Sequence, residues 1–253
     1  MPSAEPIPSA EPRPSAEPIS SAEPISSAEQ NPSVKAAEAG FVTFGVLRTD
    51  GARTSAEVAA VLTAEVTQWV RHTPGFVSSR VHVGVEGDVV VHRGEWTGEA
   101  AYRASFADNP AGGRLHRLAE WPGVTGSAVF RGTPAPGIAG PAAGRLPGTV
   151  VVATRHLSGP AAMRKLLGLL ADSGAWKRDS PGFVSATPYV DRDGTTFVNY
   201  PAWLDRESYD AWMADPRVPA GQQEIARLEV APPEYLLCTV VSDIAAGPAG
   251  GKP

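Results

Sequence analysis

A five-residue sequence that occurs twice limits the possible folds of this chain more than any other feature. PGFVS occupies residues 74–78 and recurs 107 positions later, at residues 181–185. Trp96 and Tyr102 likewise recur as a tryptophan and a tyrosine at the same spacing. A shift that stays constant over about thirty residues requires equal loop and strand lengths in both copies. The sequence therefore predicts a tandem duplication of one small module.

The hydropathy pattern of each copy is that of an α+β module. Apolar residues alternate in the expected strands and recur every three or four positions in the expected helices. The first copy is predicted to contain strands at residues 41–48, 77–85, 89–96 and 124–131, with helices at 55–72, 99–106 and 114–120. The second is predicted to contain strands at 149–157, 184–190, 196–203 and 234–244, with helices at 161–176, 207–213 and 222–228. The order β-α-β-β-α-β is the ferredoxin-like arrangement.

The ferredoxin-like arrangement leaves one face of a four-stranded sheet without helices. A bare, half-apolar face needs a partner, and in a fused duplication the second sheet can cover the first. The predicted fold class is therefore α+β, with two tandem ferredoxin-like modules that form one pseudo-dimeric α/β barrel. Two independent modules joined by a linker are the alternative.

The predicted boundaries follow from changes in composition. A first module is expected at residues 39–132 and a second module at residues 148–245, joined by a linker rich in Pro, Gly and Ala at 133–147. Residues 1–38 consist largely of hexapeptide repeats such as PSAEPI. Their prolines prevent helices and the hydrogen-bonded ladders of sheets, so we predict a disordered tail. This tail either has no binding role or serves as a polyproline-type ligand. Residues 246–253 are predicted to form a second disordered tail.

Charge and composition exclude several partners. The formal net charge is −5 and the basic residues are scattered, which argues against nucleic acid as a partner. No apolar run reaches the ~20 residues that span a membrane, and the N-terminus lacks the regions of a secretory signal. Cys238 is the single cysteine, in an apolar run typical of a buried strand. A cytoplasmic protein is expected.

Strand periodicity groups the candidate site residues of the second module. Asn199 and Trp203 share one face of their strand, and Tyr209 follows at the start of the next helix. An amide, an indole N–H and a phenol that converge on an apolar cavity can hold a polycyclic phenol and stabilise its oxyanion. Trp203 as a plain core aromatic and Tyr209 as a helix anchor are the alternatives.

The matching residues of the first module are His92, Trp96 and Tyr102. The same periodicity places His92 on the face of Trp96, and a histidine can act as a base near neutral pH, which an asparagine cannot. Trp96 as a plain core aromatic and Tyr102 as a helix anchor are again the alternatives. Periodicity alone does not decide which module is catalytic.

Several familiar catalytic motifs are missing from the sequence. It contains no HExxH, CxxC or GxSxG motif and no glycine-rich phosphate loop. A metal site is therefore not expected.

The candidate residues of the second module lie in a pattern that resembles the antibiotic biosynthesis monooxygenases. The pattern is Pro181-Gly182-Phe183, then Asn199-Tyr200-Pro201-Ala202-Trp203, then Tyr209. The resemblance covers residues 41–131 and 149–244 and implies a dimeric ferredoxin-like barrel that oxidises aromatic polyketides with O2, often without a metal or bound flavin. In anthrone-oxidising members, an asparagine, a tryptophan and a tyrosine match Asn199, Trp203 and Tyr209. The resemblance implies that a substrate phenolate donates an electron directly to O2.

Within this family, a chain with two fused modules is similar to the oxygenases that open the B ring of angucyclines of the jadomycin, gilvocarcin and kinamycin type. This similarity implies oxidative C–C cleavage of an angucycline hydroquinone. It also implies no tightly bound cofactor, with reduced flavin (FADH2 or FMNH2) as a diffusible cosubstrate supplied by a flavin reductase.

The alternatives are anthrone-type quinone formation, a polyketide cyclase or aromatase, and non-enzymatic polyketide binding. His92 departs from the family pattern, so two equivalent sites are not expected. The fused barrel fits a monomer or a homodimer.

Overall fold

The computed structural model of the chain describes residues 38–107, 114–115, 117–173 and 175–247. The predicted N-terminal tail lies outside the described residues except for Glu38, as do residues 248–253 of the predicted C-terminal tail. Part of the helical region expected near residue 114 also lies outside them. None of the described helices is long and apolar enough to cross a membrane.

Nine strands and five α-helices make up the described structure. The strands are β1 Phe41–Thr49, β2 Phe76–Gly84, β3 Val89–Trp96, β4 Val124–Pro134, β5 Ile138–Ala139, β6 Thr149–His156, β7 Phe183–Val190, β8 Thr196–Trp203 and β9 Glu234–Ala245. The helices are α1 Ala52–Gln68, α2 Glu99–Ala107, α3 Pro160–Ser173, α4 Arg206–Met213 and α5 Arg217–Ala226. Short 3-10 turns follow α1 and α3, at Val70–His72 and Ala175–Asp179, and a third precedes β4 at Leu118–Glu120.

Eight of the strands form one closed antiparallel sheet. Their order is β4-β1-β3-β2-β9-β6-β8-β7, and β4 pairs with β7 to close the ring. Each module contributes four neighbouring strands, and the modules meet at the β2–β9 and β4–β7 pairs. The predicted α+β fold of two ferredoxin-like modules in a pseudo-dimeric barrel is therefore confirmed. The range expected as a linker contains the end of β4 and the short strand β5, which pairs with β7.

The two PGFVS segments have the same backbone structure. Gly75 and Gly182 adopt φ angles of 80° and 73°, in the left-handed region that favours glycine. Each is followed by a β-bulge, after Phe76 and Phe183 respectively. At Gly182 an added Cβ would lie 2.0 Å from Ser208 Oγ, so this position also requires the absence of a side chain. The repeated sequence thus produces a repeated turn that brings each second strand back beside the third.

The alternation of side chains divides the core into an inner and an outer part. The inner part fills the barrel with residues from both modules, including Phe44, Val91, Val152, Tyr189 and Tyr200. The outer parts lie between each module's sheet and its helices. Cys238 is fully buried in the inner part, as predicted for a strand cysteine.

A polar contact across the two modules lies within this inner core. His82 is fully buried; its Nδ1–H donates to Val91 O at 2.9 Å, and its Nε2 accepts from Tyr200 Oη at 2.8 Å. Burial lowers the pKa of His82 to about 3, so the imidazole is neutral at physiological pH. Arg93, paired with Glu95, lies 4.7 Å above the Tyr200 ring. These contacts satisfy polar groups inside the barrel and link its two modules.

Candidate active site

A cleft of about 520 Å³ lies between the sheet of the second module and its helices. Its floor is formed by the outward faces of β6 and β8, and its walls by α4, α5 and the 3-10 turn after α3. The apolar lining includes Val151, Phe197, Pro201, Trp212 and Ile225, and the polar lining is Arg155, Lys177, Asn199, Tyr209, Gln222 and Tyr235. The volume is within the range of sites for small organic ligands, about 300–1,000 Å³.

All three candidate residues of the second module line this cleft. The rings of Trp203 and Tyr209 meet edge to face, with centroids 5.0 Å apart. Asn199 lies four residues before Trp203 on the same face of β8, as the periodicity predicts. Burial raises the pKa of the Tyr209 phenol, which therefore stays protonated at neutral pH and can donate a hydrogen bond.

Two of these groups have unused hydrogen-bonding capacity. Within the described part of the chain, the buried indole N–H of Trp203 has no hydrogen-bond partner. The side-chain amide of Asn199 likewise forms no hydrogen bond to any described residue. An unpaired buried donor costs about 1–3 kcal/mol, which a ligand oxygen can recover. The lining of the cleft therefore holds two donors that no described residue uses, the Asn199 amide and the buried Trp203 indole N–H.

The candidate residues of the first module have different surroundings. Trp96 packs against Phe76, Tyr102 and Phe106, with centroid distances of 5.3, 5.7 and 6.2 Å. Its indole N–H also has no partner among the described residues, so this property does not distinguish the modules. Trp203 has a similar set of aromatic neighbours, Phe183, Tyr209 and Trp212, at 5.8, 5.0 and 5.3 Å. Among the described residues, the two tryptophans differ in that Trp203 also borders the cleft.

His92 is a poor candidate for a base at neutral pH. Its Nε2 lies 2.9 Å from Ser79 Oγ, and burial lowers its pKa to about 4. A group with this pKa accepts a proton weakly at pH 7. The structure thus brings Asn199, Trp203 and Tyr209 together around an open cleft and places His92 against a serine.

Sequence reasoning missed Arg155, which lines the cleft from β6. Its guanidinium forms an ion pair with Glu229, and each side chain is only 6% exposed. It also donates to Gln222 Oε1 at 2.9 Å and to Tyr235 Oη at 2.7 Å. The spacing of 107 that relates the two copies aligns Arg155 with Arg48, so the sequence repeat gave no signal here. Only the strand register shows that the equivalent position of the first module is the apolar Leu47.

Lys177 and Trp212 were also missed. The Lys177 ammonium lies 5.1 Å from the centre of the Trp212 ring, and both side chains line the cleft. Their counterparts 107 positions earlier are Val70 and Ser105. Among the described residues, no group of three or more His, Cys, Asp or Glu side chains is arranged to hold a metal ion.

Comparison with known proteins gives local sequence matches and a match to the fold. No family model matches the chain. A stretch of 39 residues is 46% identical to the tetracenomycin-F1 monooxygenase of Streptomyces glaucescens, and it covers 15% of this chain and 35% of that enzyme. The match thus spans about a third of that relative's length.

Solved structures cover more of the chain. An anthrone oxidase-like protein aligns with a TM-score of 0.70 and 17% identity, covering 86% of this chain and 98% of that one. At this identity the likeness shows the fold alone. A monooxygenase of Streptomyces coelicolor, solved in complex with nanaomycin D, is 35% identical over 37% of this chain and 87% of its own, with a TM-score of 0.36.

Proposed function

The chain belongs to the antibiotic biosynthesis monooxygenase family, and from this premise we propose that it is an oxygenase that uses O2 to oxidise a polycyclic aromatic polyketide. The main support for the proposal is that Asn199, Trp203 and Tyr209 all line one largely apolar cleft. Flat apolar rings fit between the sheet and the helices, and the three polar groups orient the phenolic oxygens. We assign the site to the second module because Asn199, Trp203 and Tyr209 line this cleft together, whereas His92 of the first module lies against Ser79.

Each residue has a distinct role in this proposal. The Asn199 amide and the Trp203 indole N–H donate to a substrate oxygen that becomes negative when the phenol ionises. Tyr209, whose phenol stays protonated, donates to the oxygen species formed beside the ring. The electron-rich phenolate then donates an electron directly to O2, and the polar groups of the cleft stabilise the negative charge that results.

The finer proposal concerns the bond that is attacked. Oxidative cleavage of the B ring of an angucycline hydroquinone is the leading reaction, supported by the two fused modules. Reduced flavin then acts as a diffusible cosubstrate that a flavin reductase regenerates. Anthrone-type quinone formation, in which a ring CH2 and O2 give a ring carbonyl and water, is the alternative and needs no flavin.

Oxygen uptake tests the proposal. The purified chain is mixed with a hydroxyanthrone or with a tetracyclic angucycline hydroquinone, each with and without reduced flavin, under ¹⁸O2. We expect protein-dependent O2 consumption and a product that carries ¹⁸O, with a ring-opened mass for the angucycline. Activity on the anthrone alone without flavin would favour the simpler quinone-forming reaction.

Two further outcomes would contradict the proposed oxygenase function and favour a different one. A product formed equally well without O2 would indicate a cyclase or aromatase, a reaction that needs an acid–base group. Tight binding of both aromatic compounds without turnover, with O2 and reduced flavin present, would indicate a polyketide-binding protein.

A further inference from the structure

An uncompensated positive charge faces the cleft of the second module. Lys177 lines the cleft, where its ammonium lies 5.1 Å from the Trp212 ring centre. The residue 107 positions earlier is Val70, which is 3% exposed and packs in the cluster around Trp96. The second module therefore has an ammonium group where the first module has an apolar side chain.

The charged groups near the cleft leave Lys177 without a carboxylate partner among the described residues. Arg155 is neutralised by Glu229, with which it forms a buried ion pair. Glu224 borders an adjoining groove with Lys177 but forms no ion pair with it. In the described part of the chain, no carboxylate lies within ion-pair distance of the Lys177 ammonium. Burial, followed by the nearby charge of Arg155, lowers the pKa of Lys177.

The ammonium is held in place by aromatic stacking. Trp212 stacks on Trp176, with centroids 6.1 Å apart and an angle of 15° between the rings. Arg217 in turn lies 4.0 Å from the centre of the Trp176 ring. The stack fixes the Trp212 ring against which Lys177 lies. A charge that is desolvated without a counter-ion is costly, and an anionic ligand removes that cost.

We propose that Lys177 determines substrate specificity by binding an anionic oxygen, a carboxylate or an ionised phenol, on the aromatic substrate. Lys177 and Asn199 also border the same adjoining groove beside Ile138 and Pro188, so the two side chains face one end of the cleft. The anionic oxygen lies at that end, between an ammonium and an amide. This inference rests on the proposed function, because it assumes that the cleft binds an aromatic molecule.

Two fluorescent probes of nearly equal shape test the inference by binding alone. The full chain is titrated with 9-anthracenecarboxylate and with the neutral 9-anthracenemethanol. We expect the carboxylate to bind roughly tenfold more tightly or better, the range of a hydrogen bond to a charged group. Lys177→Met is expected to abolish this preference while Lys177→Arg keeps most of it. Lys165→Met, which removes an equal charge from the exposed surface of α3, should behave as wild type.

A third probe distinguishes the two sources of the anion. Alizarin changes colour when its phenol ionises, so a lowered apparent pKa of the bound dye in wild type but not in Lys177→Met would identify a phenolate site. A carboxylate preference without this shift would identify a carboxylate site. A preference that survives in Lys177→Met, or equal binding of both anthracenes to wild type together with an unshifted alizarin pKa, would overturn the inference. Failure of all three probes to bind wild type would instead contradict the proposed function.

Discussion

The two modules of the barrel share a backbone and differ in what fills the space beneath their helices. The strand pair β2–β3 and the start of α2 recur 107 positions later as β7–β8 and the start of α4. Both tryptophans meet their tyrosine at 5.0–5.7 Å. Both tryptophans lie among three aromatic rings, but among the described residues only Trp203 also borders a cleft of about 520 Å³.

A few side chains account for this difference. Val70 and Phe106 in the first module correspond to Lys177 and Met213 in the second. Phe106 contacts the rings of Trp96 and Tyr102, while Met213 is 41% exposed at the edge of the cleft. The repeated backbone therefore provides the same frame in both modules, and the volume and charge of a few side chains differ within it.

Filling the cleft should have the largest effect on function. The double substitution Lys177→Val with Met213→Phe places the first-module residues in the second module. We expect binding of a neutral polycyclic aromatic to weaken by about 100-fold or more, because the added ring occupies ligand volume. Fluorescence titration with 9-anthracenemethanol measures the loss. Phe106→Met, the reverse change in the first module, should leave binding unchanged; equal loss in both variants would contradict the assignment to the second module.

Acid should destabilise the barrel because two buried histidines of the first module, His82 and His92, are neutral in the folded chain. The pKa values of His82 and His92 are lowered to about 3 and about 4, so below pH 6.5 the unfolded chain binds more protons than the folded one. Stability is therefore complete above pH 6.5 and is lost as the pH falls towards the folded pKa values. At pH 5 each histidine accounts for a loss of about 2 kcal/mol.

Urea titrations at pH 7 and pH 5 measure this loss. The counterparts of these histidines in the second module, Tyr189 and Asn199, do not titrate in this range. His92→Asn copies the second-module residue and should remove about half of the pH dependence. An unchanged pH dependence in this variant would show that His92 is not desolvated in the folded chain.

Removing the indole N–H should affect activity at Trp203 but not at Trp96. Trp203→Phe is expected to lower kcat/KM by about tenfold, or ~1.4 kcal/mol, because one donor to the substrate oxyanion is lost. Trp96→Phe should leave kcat/KM unchanged although its burial is the same. Thermal melts of both variants control for folding. A similar loss in both variants would mean that the tryptophans act through packing rather than through the cleft.

The smallest expected effect is a change in melting temperature when the N-terminal cap of the helix that contains Tyr209 is removed. Asp205 caps α4 by accepting from the Ser208 N–H at 2.8 Å, whereas its counterpart Gly98 has no side chain to cap α2. Asp205→Ala should lower the melting temperature by a few degrees. Gly98→Asp should raise it, since an added side chain meets open space there. Calorimetry of both variants checks these opposite signs; shifts of the same sign would show that capping is not the cause.

Much of the fold could be predicted from the sequence. Alternation along β8 correctly predicted that Asn199 and Trp203 share one face, and the bare faces of two sheets correctly predicted the closed barrel. Alternation did not decide whether that face lies under the helices or inside the barrel. His82 shows the limit of such patterns, because its bond to Tyr200 joins strands of different modules. Residues 118 positions apart come together only through the closure of the barrel.

Arg155 and Lys177 of the candidate site likewise could not be predicted from local sequence patterns. Both look like ordinary surface charges in the sequence, and no local periodicity shows that one pairs with Glu229 and the other has no acidic partner among the described residues. The spacing of 107 would have revealed a charge at Lys177 in place of Val70, but it aligns Arg155 with another arginine, Arg48. Only the strand register identifies Leu47 as the structural counterpart of Arg155.

The sequence by itself determined the module, its repetition and the face of each strand, because side-chain alternation and turn glycines act over a few residues. Only the tertiary structure decided that a cleft lies beside Trp203 and which charges face it. The physical reason is that a cavity depends on how side-chain volumes from several separated segments fill a common space. The cleft beside Trp203 is lined by three strands, β6, β8 and β9, and by four helical segments, α3, the 3-10 turn after it, α4 and α5. No pattern along one segment shows how these side chains combine.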